Sequence, residues 1–247
     1  ARYDDAVKWL ENVLLEEPSC ESAWATLINA HTALEDHDAA ETAFYMAQDA
    51  LPEPSASVLV AVSESLLIRE LLDRAAWCAR EALKLDQDVI DGRIRLASVL
   101  IARGEGQQAS QLLLRELRQD PGNVQALLLH ADLLVESGRS QEALMKLHRI
   151  LELEPANVQA HVRAGAIAMS EERWEEAFIA WGLVRRLDPS HPTASLYLSK
   201  TLLAMGRHDA AKPLLQERLD RMDDSESRES KLELATLLLQ VQEPAMA

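Results

Sequence analysis

An all-α fold of stacked helix pairs is predicted by three observations. Alanine recurs at positions 6, 40, 75, 109, 143, 177 and 211, with gaps of 34, 35, 34, 34, 34 and 34 residues. Proline follows twelve residues behind at Pro18, Pro52, Pro121, Pro155 and Pro189, and only Gln87 and Asp223 interrupt that series. No stretch alternates β-branched and polar residues over strand length, so a sheet is not expected. A period of this size means one unit repeated, with a small side chain held where helices come closest.

The phase places the elements. A lone second helix is expected at 3–17. Pairs follow at 20–34 with 37–50, 55–69 with 72–84, 89–103 with 106–119, 123–137 with 140–153, 157–170 with 173–187, and 191–205 with 208–221. A closing first-type helix spans 226–242, and the whole of 1–247 reads as one array, its last partial unit covering 226–247. Gly104-Glu105-Gly106, Ser137-Gly138 and Gly206 mark tight turns inside pairs. Asp120-Pro121-Gly122-Asn123, Glu154-Pro155-Ala156-Asn157 and Asp188-Pro189-Ser190-His191 mark turns between units, where proline stops one helix and Asn or Ser caps the next. Ile90, Val124, Val158 and Pro192 are expected to open first helices. The 35-residue step requires one extra residue, near Pro52–Pro54 or Leu71–Arg74. Pro213, near the start of a second helix, predicts a late start or a kink there, because a deeper proline removes a backbone hydrogen bond.

The unit Glu21–Pro52 carries Trp24, Leu27, Ala40, Phe44, Ala47 and Pro52. At this spacing it resembles the tetratricopeptide repeat. It departs at Ile28, where the family prefers Gly or Ala, and at His31, where it prefers Tyr. Later units keep small residues at Ala97, Ala131, Gly165 and Ser199. The resemblance covers essentially the whole chain and implies a right-handed superhelical solenoid of antiparallel helix pairs. It also implies a scaffold or adaptor role, with the groove lined by the first helices as the binding site.

Composition narrows the classes. Aromatics are only 4% of a chain that is 48% hydrophobic, so Ala and Leu must supply most of the packing. The formal net charge of −16 makes nucleic acid a poor partner, since phosphate binding needs a basic face. The charge is uneven: residues 1–54 hold 12 acids and 2 bases, which reads as a solubility surface or as an acidic end that steers a basic partner. Cys20 and Cys78 fall in different units with no metal spacing, a usage compatible with a reducing compartment, and no bridge between them is expected. No apolar run approaches the ~18 residues that span a bilayer. The chain opens inside a repeat and closes on a helix bearing Leu232, Leu234, Leu237, Leu238 and Leu239. The array is therefore expected to continue beyond both ends, leaving apolar surface through which copies could associate.

No nucleophile elbow, phosphate loop, zinc helix or dinucleotide fingerprint is present, so no catalytic, cofactor or metal residue is assigned and an enzyme is not expected. His130 and His161 fall at helix-packing positions. In the family the groove is faced by the second, fifth, ninth and twelfth positions of each unit. The resemblance thereby assigns Asn29, Asp91, Ile94, Ser98, Gln125, Leu128, Asp132, Gln159, Val162, Ala166, Leu196 and Lys200 to it, with Arg163 and Tyr197 adding hydrogen bonds. Ile94, Leu128, Val162 and Leu196 would form an aliphatic stripe suited to a helix or extended peptide with apolar anchors. The same aliphatics could instead pack between first helices. A carboxylate clamp of the chaperone-binding kind is matched only at Asn29, without its lysines. Other readings are a self-assembling scaffold and a partner-recruiting segment of a larger enzyme or secretion machine.

Overall fold

The computed structural model describes residues 2–222 and 227–242, which form fourteen α-helices and no strand. The chain divides into two compact units, residues 1–129 and 130–247. The first holds α1 (Arg2–Glu16), α2 (Glu21–Ala33), α3 (His37–Ala50), α4 (Ala56–Ile68), α5 (Leu72–Leu85), α6 (Gly92–Ala102), α7 (Gly106–Gln119) and the first half of α8 (Val124–Glu136). The second holds the rest of α8, then α9 (Ser140–Leu153), α10 (Val158–Ser170), α11 (Trp174–Leu187), α12 (Ala194–Ala204), α13 (His208–Asp220) and α14 (Arg228–Gln242). Every phase alanine from Ala40 to Ala211 is fully buried on a second helix.

The turns inside pairs are three residues each, at 34–36, 69–71, 103–105, 137–139, 171–173 and 205–207. In each, the middle residue is left-handed: Glu35, Glu70, Gly104, Gly138, Glu172 and Gly206, with φ between 56° and 76°. The next amide then donates back to a carbonyl in the last helical turn, as Arg173 does to Ala168 and Arg207 to Leu202, both at 2.8 Å. This backbone closure holds even where glutamate replaces glycine, at a local steric cost. Since these turns are constant, the extra residue of the 35-residue step lies in the link 51–55, around Pro52–Pro54. There α4 packs on α2 far more than on α3, whereas of the preceding pair α6 meets α5 more than α4, and α12 meets α11.

Predicted caps form at Asn123 and Asn157, whose side chains accept from the amides of Ala126 and Ala160. Two helix starts, and the outcome at Pro213, differ from expectation. Helix α6 starts at Gly92 rather than 89, leaving Ile90 exposed in the link and Asp91 left-handed at φ 60°. A Cβ at position 92 would sit 2.5 Å from Val89 Cγ1, so any other residue here would have to displace the Val89 side chain. Helix α12 starts at Ala194 rather than 191, consistent with the bias of a residue before proline against helical geometry. Helix α13 starts on phase at His208, and Pro213 lies inside it. The expected late start does not occur; both Pro213 and Asp209, whose carbonyl loses its donor, are exposed and open to water.

In most later repeats two buried positions sixteen residues apart combine a small residue with a large one, whereas the first repeat keeps two large ones, Ile28 and Phe44. Ala97 precedes Leu113, Ala131 precedes Leu147 and Ser199 precedes Leu215, all fully buried. At one repeat the pair is Gly165 and Trp181, the smallest residue with the largest. At another it is Ser63 and Ala79, and there the Ser63 hydroxyl donates to the Ala75 carbonyl at 2.9 Å across closely packed α4 and α5. The closing helix is partly sealed: Leu234 and Leu237 are buried with Leu215, and Leu238 packs at their edge, while Leu232 and Leu239 stay exposed.

Glu41 of α3 holds the turn that follows α4. Its carboxylate accepts from Arg69 at 2.7 Å and from Arg74 at 2.8 Å. Arg74 and then Arg69 hold its titration below the ordinary carboxylate value. A carboxyl whose folded value is depressed contributes stability above its unfolded titration and loses it as pH falls through the folded value. Glu41→Gln should therefore lower stability by about 1 kcal/mol at pH 7. Thermal melts of the two proteins should converge as pH falls through the lowered titration of Glu41; a gap that persists in stronger acid would assign the effect to packing rather than charge.

Candidate functional site

The first-helix surface is built differently in the two units. In the first, Ile94 is 1% exposed and Leu128 8%, so both belong to the core rather than to an open stripe. Ser98 is half-buried, and its hydroxyl donates to the Ile94 carbonyl at 3.0 Å. Asn29 and Gln125 are exposed on α2 and α8. Asp91 is exposed but stands in the link before α6, not on the helix. Arg95 donates to Glu64 at 2.6 Å, tying α6 to α4.

In the second unit the assigned residues come closer to a surface. Val162 and Leu196 are half-buried, Val162 against the Trp181 cluster and Leu196 against the Leu215 cluster. Ala166 and Gln159 are exposed on α10. The Arg163 guanidinium donates two bonds to Asp132, at 2.7 and 2.8 Å, and a longer one to the Gln159 carbonyl. Tyr197 stacks on Trp181 with ring centroids 4.7 Å apart, and Lys200 sits 4.9 Å over the Tyr197 ring while pairing with Glu233. Arg163 and Lys200, expected to await a ligand, therefore already have partners within the chain. Val162 and Tyr197 thus pack on one cluster and Leu196 on the next, with an ion pair on α10 and another on α12.

These ion pairs were missed by position-by-position reading, although a signal exists. An acid at the ninth position is followed 31 residues later by arginine at Glu64–Arg95 and again at Asp132–Arg163. The histidines take structural roles: His130 and His161 are buried, burial keeps His130 below its ordinary value, and His161 Nε2 lies 3.0 Å from the Pro155 carbonyl. Trp24, at the same repeat position, donates to the Pro18 carbonyl at 2.8 Å. Both cysteines are free; burial pushes the Cys78 thiol up to about 11, away from nucleophilic chemistry. Among the described residues no group of three or more His, Cys, Asp or Glu could hold a metal ion, and no helix is long and apolar enough to cross a membrane.

Stacked helix pairs with a partly apolar first-helix face define an all-helical repeat scaffold. The tetratricopeptide-repeat family model matches residues 1–53 and 128–192, so these two segments carry tetratricopeptide repeats within an all-helical array. No curated protein matches it. Among solved structures it is similar to TTC0263, a thermophilic TPR protein of Thermus thermophilus (20% identity, TM-score 0.63, covering 74% of this chain and 100% of that one). It is similar to YrrB, described as a TPR protein with an unusual peptide-binding site (18% identity, TM-score 0.54, covering 77% and 97%). It is also similar to a chain of the APC/C hetero-tetramer Cut9–Hcn1 (14% identity, TM-score 0.79, covering 98% of this chain but 46% of that one). At these identities the likeness is one of fold.

Proposed function

We propose that this chain is a non-catalytic interaction scaffold or adaptor that takes a peptide or helix of a partner protein on its first-helix face, at the strip framed by α10 and α12. The observations that carry this reading are exposed Ala166 and half-buried Val162 on α10, half-buried Leu196 and Tyr197 on α12, and the ion pairs Asp132–Arg163 and Lys200–Glu233 on the same helices. A small residue leaves room for a ligand side chain, and paired charges leave few unpaired groups to desolvate on binding. A few apolar anchors at roughly 1–3 kcal/mol each support micromolar affinity after ordering costs. The peptide-binding site ascribed to YrrB supports the reading by analogy.

Peptides selected by phage display on the wild-type chain test it. Ala166→Arg fills the strip at an exposed position and should leave the thermal melt unchanged while weakening the selected peptides at least tenfold. Peptides that bind Ala166→Arg as tightly as wild type would remove the strip as the site. A second reading, self-association, is favoured by exposed Trp9, Leu232 and Leu239. Sedimentation across a concentration series separates the two.

A further inference from the structure

We propose a second interaction surface, distinct from the α10–α12 strip: the groove between α1 and α3, floored by α2, binds a basic amphipathic helix. The groove encloses about 920 Å³. Its floor is Trp24, Leu27 and Ala43, all buried. Its walls include Leu15 and Met46, 81% and 55% exposed, and its rim carries Glu11 and Asp49. Neither acid forms an ion pair among the described residues, and no lysine or arginine lines the groove. Glu41, by contrast, is already held by Arg69 and Arg74 and takes no part.

The argument for a basic occupant comes from the same groove two repeats later in the same unit. Between α5 and α7, over α6, equivalent positions 69 residues on form a groove of only about 520 Å³. Leu112 stands where Ala43 does, which fills the floor. Arg115 and Arg118 stand where Met46 and Asp49 do. The repeat architecture therefore does not by itself dictate an open, acidic groove. The chain has emptied the floor, exposed aliphatic walls and made the rim acidic at one repeat while inverting each of these at another. An apolar trough with an acidic rim, inside a stretch holding 12 acids and 2 bases, matches a helix with one aliphatic face flanked by lysine or arginine.

The probe is a synthetic 14-residue Leu/Lys peptide with an apolar helical face, followed by fluorescence anisotropy, with the Leu/Glu peptide of the same pattern as control. Wild type should bind the Leu/Lys peptide with an on-rate that falls as salt rises, and should not bind the Leu/Glu peptide. Leu15→Lys/Met46→Lys and, separately, groove-filling Thr42→Trp should each weaken binding at least tenfold with native circular dichroism. Glu175→Gln/Glu229→Gln, an equal loss of charge outside the groove, should leave it unchanged. Equal affinity of the groove variants and wild type would overturn the proposal, as would tight binding of the Leu/Glu peptide. A wild-type dimer that Leu15→Lys/Met46→Lys dissolves would also overturn it, by showing that a second copy covers the groove. Ala166→Arg should not affect this binding, so failure here and failure of the α10–α12 strip are read independently.

Discussion

Ile94→Lys should unfold the first unit, or come close to it. The side chain is 1% exposed on α6, in a chain where Arg95 beside it is already spent on Glu64. A lysine there must either bury an unpaired ammonium or lose its proton, and removal of the aliphatic packing adds to the cost. Together these amount to about 3–5 kcal/mol or more, a large share of the stability of an ordinary domain. Urea titration followed by circular dichroism should show a strongly lowered midpoint. Leu128→Lys should behave similarly, so loss of a ligand by either variant would report unfolding rather than a contact. A wild-type midpoint for Ile94→Lys would mean that this face of α6 is open to solvent after all. The contrast with Ala166→Arg is physical: the first substitution replaces core, the second adds to surface.

Gly165 and Trp181 should be coupled, each tolerable only in view of the other. A Cβ on residue 165 would lie 2.8 Å from Trp181 Nε1 and 2.9 Å from its Cε2. The indole is 1% exposed and stacked on Tyr197, so it has little freedom to retreat. Gly165→Ala should therefore cost about 1–3 kcal/mol of overpacking, only partly offset by the better helix propensity of alanine, about 0.8–1 kcal/mol. Trp181→Leu should cost about 3–4 kcal/mol by leaving a cavity. The double variant restores the combination found at Ala97 and Leu113 and should be more stable than the sum of the single losses predicts, by about 1 kcal/mol or more. Strict additivity in a double-mutant cycle would show that the two positions relax independently. Tyr197 rests on the indole and bears Lys200, so this coupling also sets the footing of the proposed strip.

The helical class, the pairing of helices and the phase alanines were all legible in the sequence, because each depends on local periodicity and on one small residue per unit. Ala40, Ala75, Ala109, Ala143, Ala177 and Ala211 are all fully buried, and Asn123 and Asn157 cap the helices they precede. Turn geometry was only half legible. Gly104, Gly138 and Gly206 announce a left-handed residue, but Glu35, Glu70 and Glu172 adopt it too, forced by the closure of flanking helices already packed. The start of α6 at Gly92 likewise depends on what its link crosses.

The candidate site was less legible, for a related reason. Repeat position says which side of a helix a residue occupies but not how far the next helix covers it. Ile94 and Val162 share a position, yet one is core and the other half open. Whether Arg163 and Lys200 are free to meet a ligand depended on Asp132 and Glu233 arriving from neighbouring repeats. By itself the sequence determined the repeating unit. Only the tertiary structure decided which copies of a position stay open and charged, because burial and ion pairing are properties of two repeats in contact.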